Sequence, residues 1–220
     1  MEIKEALDQF IDGKGKNKGR QPEERYSSFD YCYNYFYSFY QENKISELDS
    51  PENMQMSCLQ LGFYLASWGM MRGSSFLLEK SVKNYAKLIG TISKSDNELW
   101  EIDADNYNEI NIQLLLKCKL DIINALGKEN NPSDTLITKI MLGVFGNVPA
   151  FDQYFCKGFR MYTFNEKSLL KLKEFYDEKK DFFEDYGPIY TYDFLTAKDT
   201  HIPYTKAKLL DMYGFIKGQK

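Results

Sequence analysis

Residues 22–43 read Pro22-Glu23-Glu24-Arg25-Tyr26-Ser27-Ser28-Phe29-Asp30-Tyr31-Cys32-Tyr33-Asn34-Tyr35-Phe36-Tyr37-Ser38-Phe39-Tyr40-Gln41-Glu42-Asn43. Tyr26, Phe29, Tyr33, Phe36, Tyr37 and Tyr40 follow one another at helical spacing, and Tyr31, Tyr35 and Phe39 make a second stripe at spacing four. Pro22 and the two carboxylates after it suit a first helical turn, where a missing N–H costs nothing and the helix dipole favours anions. Rings on two faces predict a single helix over 22–43 that is sandwiched between other elements and more buried than any other of its length. The alternative is that one of those faces lines a ligand pocket.

The same grammar repeats in both directions. Ser50-Pro51-Glu52 opens a helix to about Trp68, and Ser74 or Ser75 caps another reaching about Ile92. Asp96 to Trp100 reads as a short helix or turn. Asp103 or Asp105 caps a helix to Leu126 that Gly127 stops, and Ser133 or Asp134 starts one through Phe145 that Gly146 ends. Residues 148–162 read as helical after Pro149. Asn165 caps a long amphipathic helix whose outer face is rich in lysine, and a last helix runs from about Tyr204 to Ile216. Toward the N-terminus, residues 2–12 form a short helix ahead of a flexible basic loop at about 13–21. Only Ile189-Tyr190-Thr191-Tyr192 suggests a strand pair. The expectation is an all-α protein of eight or nine helices. With 220 residues, 43% of them hydrophobic, it has ample material for one core and little for two, so one domain over 1–220 is expected.

Composition narrows the function classes. The formal charge of −4 and pI near 5.2 disfavour a globally basic nucleic-acid binder. The longest apolar run, Leu59 to Trp68, is far shorter than a membrane span, and the acidic start Met1-Glu2-Ile3-Lys4-Glu5 is unlike a signal peptide. Cys32, Cys58, Cys118 and Cys156 lie far apart among apolar neighbours, which reads as reduced core thiols in a cytoplasm. No metal-ligand spacing or cofactor motif is present. The single histidine, His201, makes a two-histidine zinc site impossible, and Glu98, Glu101, Asp103 and Asp105 read as a solvated acidic turn. An excess of lysine, asparagine and isoleucine fits an AT-rich bacterial genome.

Three sets of residues carry possible chemistry. Arg72 stands in Gly69-Met70-Met71-Arg72-Gly73-Ser74-Ser75, where a guanidinium, hydroxyls and backbone N–H groups can hold a phosphate or carboxylate, with Arg160 as a second cation. Lys14, Lys16, Lys18 and Arg20 form a basic segment suited to nucleic-acid phosphates. Asp152 opens a helix after Pro149, as a cap or as a working carboxylate.

The segment around it, about residues 134–160, resembles helix-hairpin-helix DNA glycosylases, in which an apolar helix leads through a proline-containing loop to an aspartate opening the next helix. The resemblance implies a catalytic role for Asp152, stabilising charge that develops on the sugar. Where that family has closely spaced glycines, this chain has Gly127-Lys128-Glu129-Asn130-Asn131-Pro132, and Lys139 falls later than the family's nucleophilic lysine. Seventeen Tyr, 16 Phe and 2 Trp favour a different function: a helical interaction protein with a tyrosine-rich recognition surface, meeting a protein partner or its own copy. A nucleic-acid-acting protein of glycosylase-like ancestry is the alternative, and an enzyme acting on a small anion at Arg72 and Arg160 is a third possibility.

Overall fold

The computed structural model describes residues 2–15 and 18–220. In chain order its helices are α1 (Ile3–Asp12), α2 (Ser28–Gln41), α3 (Met54–Ser67), α4 (Ala86–Ile92), α5 (Glu109–Leu126), α6 (Asp134–Phe145), α7 (Gln153–Phe159), α8 (Glu166–Glu178), α9 (Lys180–Tyr186) and α10 (Lys206–Gly218). Between the last two, β1 (Tyr190–Tyr192) pairs antiparallel with β2 (Asp199–Pro203), interrupted by a bulge. Among the described residues the protein is all-α with this one hairpin, and no helix there is long and apolar enough to cross a membrane.

Many boundaries follow the capping chemistry. Ser133 accepts from Leu136 N and Asn165 from Ser168 N, and Gly146 closes α6 in the left-handed conformation. Three expected helices are divided. The stretch from Ser75 to Ile92 is two 3-10 turns and then α4, because Lys80 and Ser81 adopt extended backbone. Asp103 caps only a 3-10 turn over Ala104–Asn106, while Asn108 accepts from Asn111 N and starts α5. The helix after Asn165 breaks at Lys179 into α8 and α9. Residues 148–162 are helical only over α7.

Residues 22–43 likewise begin with a turn and a 3-10 segment, so α2 itself starts at Ser28. It is not the most buried helix. α6 is buried continuously from Leu136 to Phe145 because it is apolar on nearly every side, and α10 from Ala207 to Ile216 because its inward Lys208 and Asp211 neutralise each other. Tyrosine explains the difference. Phe29, Cys32, Tyr33 and Phe36 enter the core, whereas Tyr31, Tyr35 and Tyr40 are half-buried with hydroxyls on Pro22 O, Ser57 Oγ and Glu101 Oε1.

The closest helix crossing is between α7 and α10. A Cβ on Gly158 would fall on the carbonyl of Gly214, and one on Gly218 would fall on that of Tyr154. Only glycine permits this approach. Residues 146–151 cross the interior as a buried connection, and fixed partners meet many of their polar groups, although the buried Asn147 Oδ1 has none among the described residues. Thr205 Oγ1 donates to Gly146 O (2.6 Å), Tyr107 OH to Asn147 O (2.7 Å) and Asn147 Nδ2 to Leu99 O (2.9 Å). Ala150 N donates to Asp211 Oδ1 (3.0 Å) and Phe151 N to Thr138 Oγ1 (2.8 Å).

Candidate functional site

Asp152 stands where the buried connection enters α7. Its Oδ1 accepts from Tyr154 N and Phe155 N, both at 3.0 Å, so it is a helix cap. Its Oδ2 faces Lys139 Nζ at 3.2 Å, and that lysine side chain is only 3% exposed. A second pair lies on α10, where Lys208 Nζ sits 2.8 Å from Asp211 Oδ2. Trp68 joins the two pairs, with Lys139 Nζ 4.9 Å and Lys208 Nζ 5.6 Å from its ring centre. Each ammonium therefore has a carboxylate and a π-face in place of water. Each aspartate also holds backbone N–H groups of residues 150–155. The arrangement locks α6, α7 and α10 together.

The basic segment is divided by its partners. Lys14 is exposed, Lys18 pairs with Glu24 at 2.6 Å, and Lys16 lies outside the described residues. Arg20, expected among phosphate contacts, is 3% exposed and bound within the protein. Its Nε and a terminal nitrogen each lie 2.9 Å from Asp30 Oδ2, and that terminal nitrogen also donates to Tyr190 O. The guanidinium stacks 3.8 Å from the centre of the Tyr192 ring. Asp30 accepts in addition from Tyr192 N (2.9 Å) and Tyr204 OH (2.5 Å). Burial pushes the Asp30 carboxyl above the ordinary carboxylate range, and Arg20 and these donors oppose that shift. The cluster fastens the hairpin to α2, and Arg20 is unavailable to a nucleic acid.

Arg72, Ser74 and Ser75 line a cleft of about 670 Å³ together with Asn130, Asn131 and Ser133, while Arg160 is absent from its lining. Arg160 instead ends α7 in the left-handed conformation and is exposed. Ser75 is committed to the turn, since its Oγ donates to Met70 O (2.6 Å) and accepts from Leu77 N (3.3 Å).

An apolar face stands apart from these polar sites. α3 turns Cys58, Leu61, Tyr64 and Leu65 inward, yet Met56, Leu59 and Phe63, spaced three and four apart, point outward. Phe63 is 70% exposed, and Phe194 at the hairpin tip is 73% exposed. Between them runs a groove of about 540 Å³ walled by Tyr31 and Tyr35 of α2 and by Leu59. Tyr31 meets Phe194 edge-on at 5.2 Å. Asn34 also lines the groove; its Nδ2 donates to Tyr192 O, and its buried Oδ1 has no hydrogen-bond partner among the described residues. Asp193 is the one charged residue of the lining. It is held by the tip itself, accepting from Thr196 N (2.8 Å) and Thr196 Oγ1 (2.7 Å).

Tyr31 and Tyr35 of the second aromatic stripe stand along this groove. The outer face of α3 was missed, although its signal is legible: apolar residues occupy the side opposite a complete core-facing set. The chain matches no protein-family model, no curated protein and no solved structure.

Proposed function

We propose that this chain is a cytoplasmic interaction protein that docks an apolar segment of a partner protein in the groove between α2, α3 and the hairpin tip. The observation that carries the reading is the outward stripe Met56, Leu59 and Phe63 on a helix whose inward face already fills the core. Exposed apolar side chains contribute nothing to folding where they stand and are favoured where an interface removes them from water. The groove also has the composition of an interface centre, being aromatic and poor in charge. Four buried free thiols support a reducing compartment.

The test places a photo-crosslinking phenylalanine analogue at position 63, or at the exposed position 110 on α5, in cells of the source organism. Discrete adducts are expected from position 63 and not from 110, and Phe194→Ser should remove them. Adducts of equal yield from both positions, or none from 63, refute the reading. An adduct of twice the chain mass identifies the occupant as a second copy.

A further inference from the structure

The cleft beside Arg72 is built from a different part of the chain. α3 ends in a double turn in which Gly69 N donates to Ala66 O and Met70 N to Leu65 O, with Gly69 at a φ of +78°. A Cβ on Gly69 would lie 2.8 Å from both Cζ and Nε of Arg72. The guanidinium therefore rests against bare backbone in a place that only glycine leaves open. Among the described residues it has no ion-pair or hydrogen-bond partner. Arg20, by contrast, is committed to Asp30, and Arg25 lies over the Trp68 ring.

We propose that this cleft binds a small organic oxyanion, a phosphate or carboxylate head carried on a compact apolar body. Although acidic residues outnumber basic ones in the chain by 32 to 28, no carboxylate lines the cleft. Arg72 is its one charged side chain, so the local field favours an anion. The planar fork can engage two oxygens of either head group. Ser74 and Asn131 face the same space with polar groups, as does Ser133, whose Oγ accepts from Leu136 N and keeps its hydroxyl hydrogen unspent. Phe76 and Leu136 provide apolar wall for the body of the ligand. At about 670 Å³ the space exceeds what a bare inorganic ion needs and lies within the range of small-molecule sites.

The test titrates the whole chain with phenyl phosphate, benzoate and inorganic phosphate at fixed ionic strength, following backbone amide shifts. Saturable shifts confined to residues 69–76 and 130–136 are expected with at least one of the two aromatic anions, and the tighter of the two identifies the head group. That anion should bind at least tenfold more tightly than inorganic phosphate. Arg72→Gln should weaken it at least tenfold and Arg72→Lys by less, with thermal unfolding unchanged in both. Lys4→Gln, an exposed charge change on α1, should leave affinity intact. No saturation at millimolar concentration, shifts elsewhere, or equal losses in Arg72→Gln and Lys4→Gln would overturn the proposal. Inorganic phosphate binding as tightly as either aromatic anion would overturn the assignment of an organic body.

Discussion

Asp152→Asn separates two accounts of the same carboxylate by its cost. As a helix cap alone, the change is worth a few tenths to about 1 kcal/mol, because asparagine accepts from the same N–H groups almost as well. Lys139 alters that expectation. Its side chain is 3% exposed and its ammonium has Asp152 Oδ2 as counter-charge at 3.2 Å, and the amide that replaces that oxygen presents a donor to a donor. Removing one member of a buried pair costs about 3–5 kcal/mol. Two features reduce this: Asp152 is 15% exposed, and the Trp68 face 4.9 Å from Nζ remains, worth about 1 kcal/mol.

The expected loss is therefore about 2–4 kcal/mol, a fall in melting temperature on the order of 5–15 °C for a chain of this length. Lys139→Met leaves an Asp152 that is 15% exposed and still bonded to Tyr154 N and Phe155 N, so it should cost less than Asp152→Asn, and the double variant should be little worse than Lys139→Met alone. Urea unfolding at pH 7 with an unchanged slope measures all three, and the cycle isolates the pair. An Asp152→Asn loss below about 0.5 kcal/mol, or a double variant equal to the sum of the singles, would refute the claim that the pair is what Asp152 chiefly maintains.

Gly158→Ala should destabilise by about 1–3 kcal/mol although it adds one methyl group, because the obstacle is the Gly214 carbonyl and not a side chain that can rotate away. Chemical denaturation would show it, and a neutral result would mean that α7 and α10 can separate without loss. Alkali should unfold the protein. Burial pushes the hydroxyls of Tyr64, Tyr107 and Tyr204 well above the usual phenol range, and lifts the thiols of Cys118 and Cys156 to about 12 and about 11. The unfolded chain releases these protons near about 8.5 for cysteine and about 10 for tyrosine, so it binds fewer protons than the folded chain above those values. Stability then falls as pH rises. Phenolate absorbance should appear in two stages, the second coincident with loss of helix, and a single smooth titration with helix intact would contradict this.

What the chain states locally was legible in the sequence, and what it states through distant partners was not. Ser133, Gly146 and Asn165 act on backbone within a few residues of themselves, and the helix ends they specify stand where expected. The division of 74–92 escaped notice because Lys80 and Ser81 are ordinary helix-compatible residues, drawn into extended backbone between two 3-10 turns. Arg20 looked like a surface cation because its neighbours are glycine and lysine, yet its partners are Asp30 and the backbone of residue 190. A clue was present at the other end of each such pair. Asp30 interrupts a run of rings, and Lys139 interrupts Leu136-Ile137-Thr138 and Ile140-Met141-Leu142. A lone charge inside an apolar helix requires a counterpart, but the sequence does not say which residue supplies it.

The placement of α10 has a consequence for how the protein is made. This helix supplies the carboxylate that holds the peptide N–H of Ala150, the glycines that admit α7, and the lysine lying over Phe10 and Phe29. It also follows all of these partners in the chain, and chains emerge N-terminus first. Until it arrives, α2 and α6 can pack on each other and on α3, but the sides of α1 and α7 that α10 covers have nothing to close against. The nascent protein must therefore hold the surfaces that α10 covers open until residues 206–218 have emerged. That exposes it to aggregation for longer than a chain whose central helix is synthesised first.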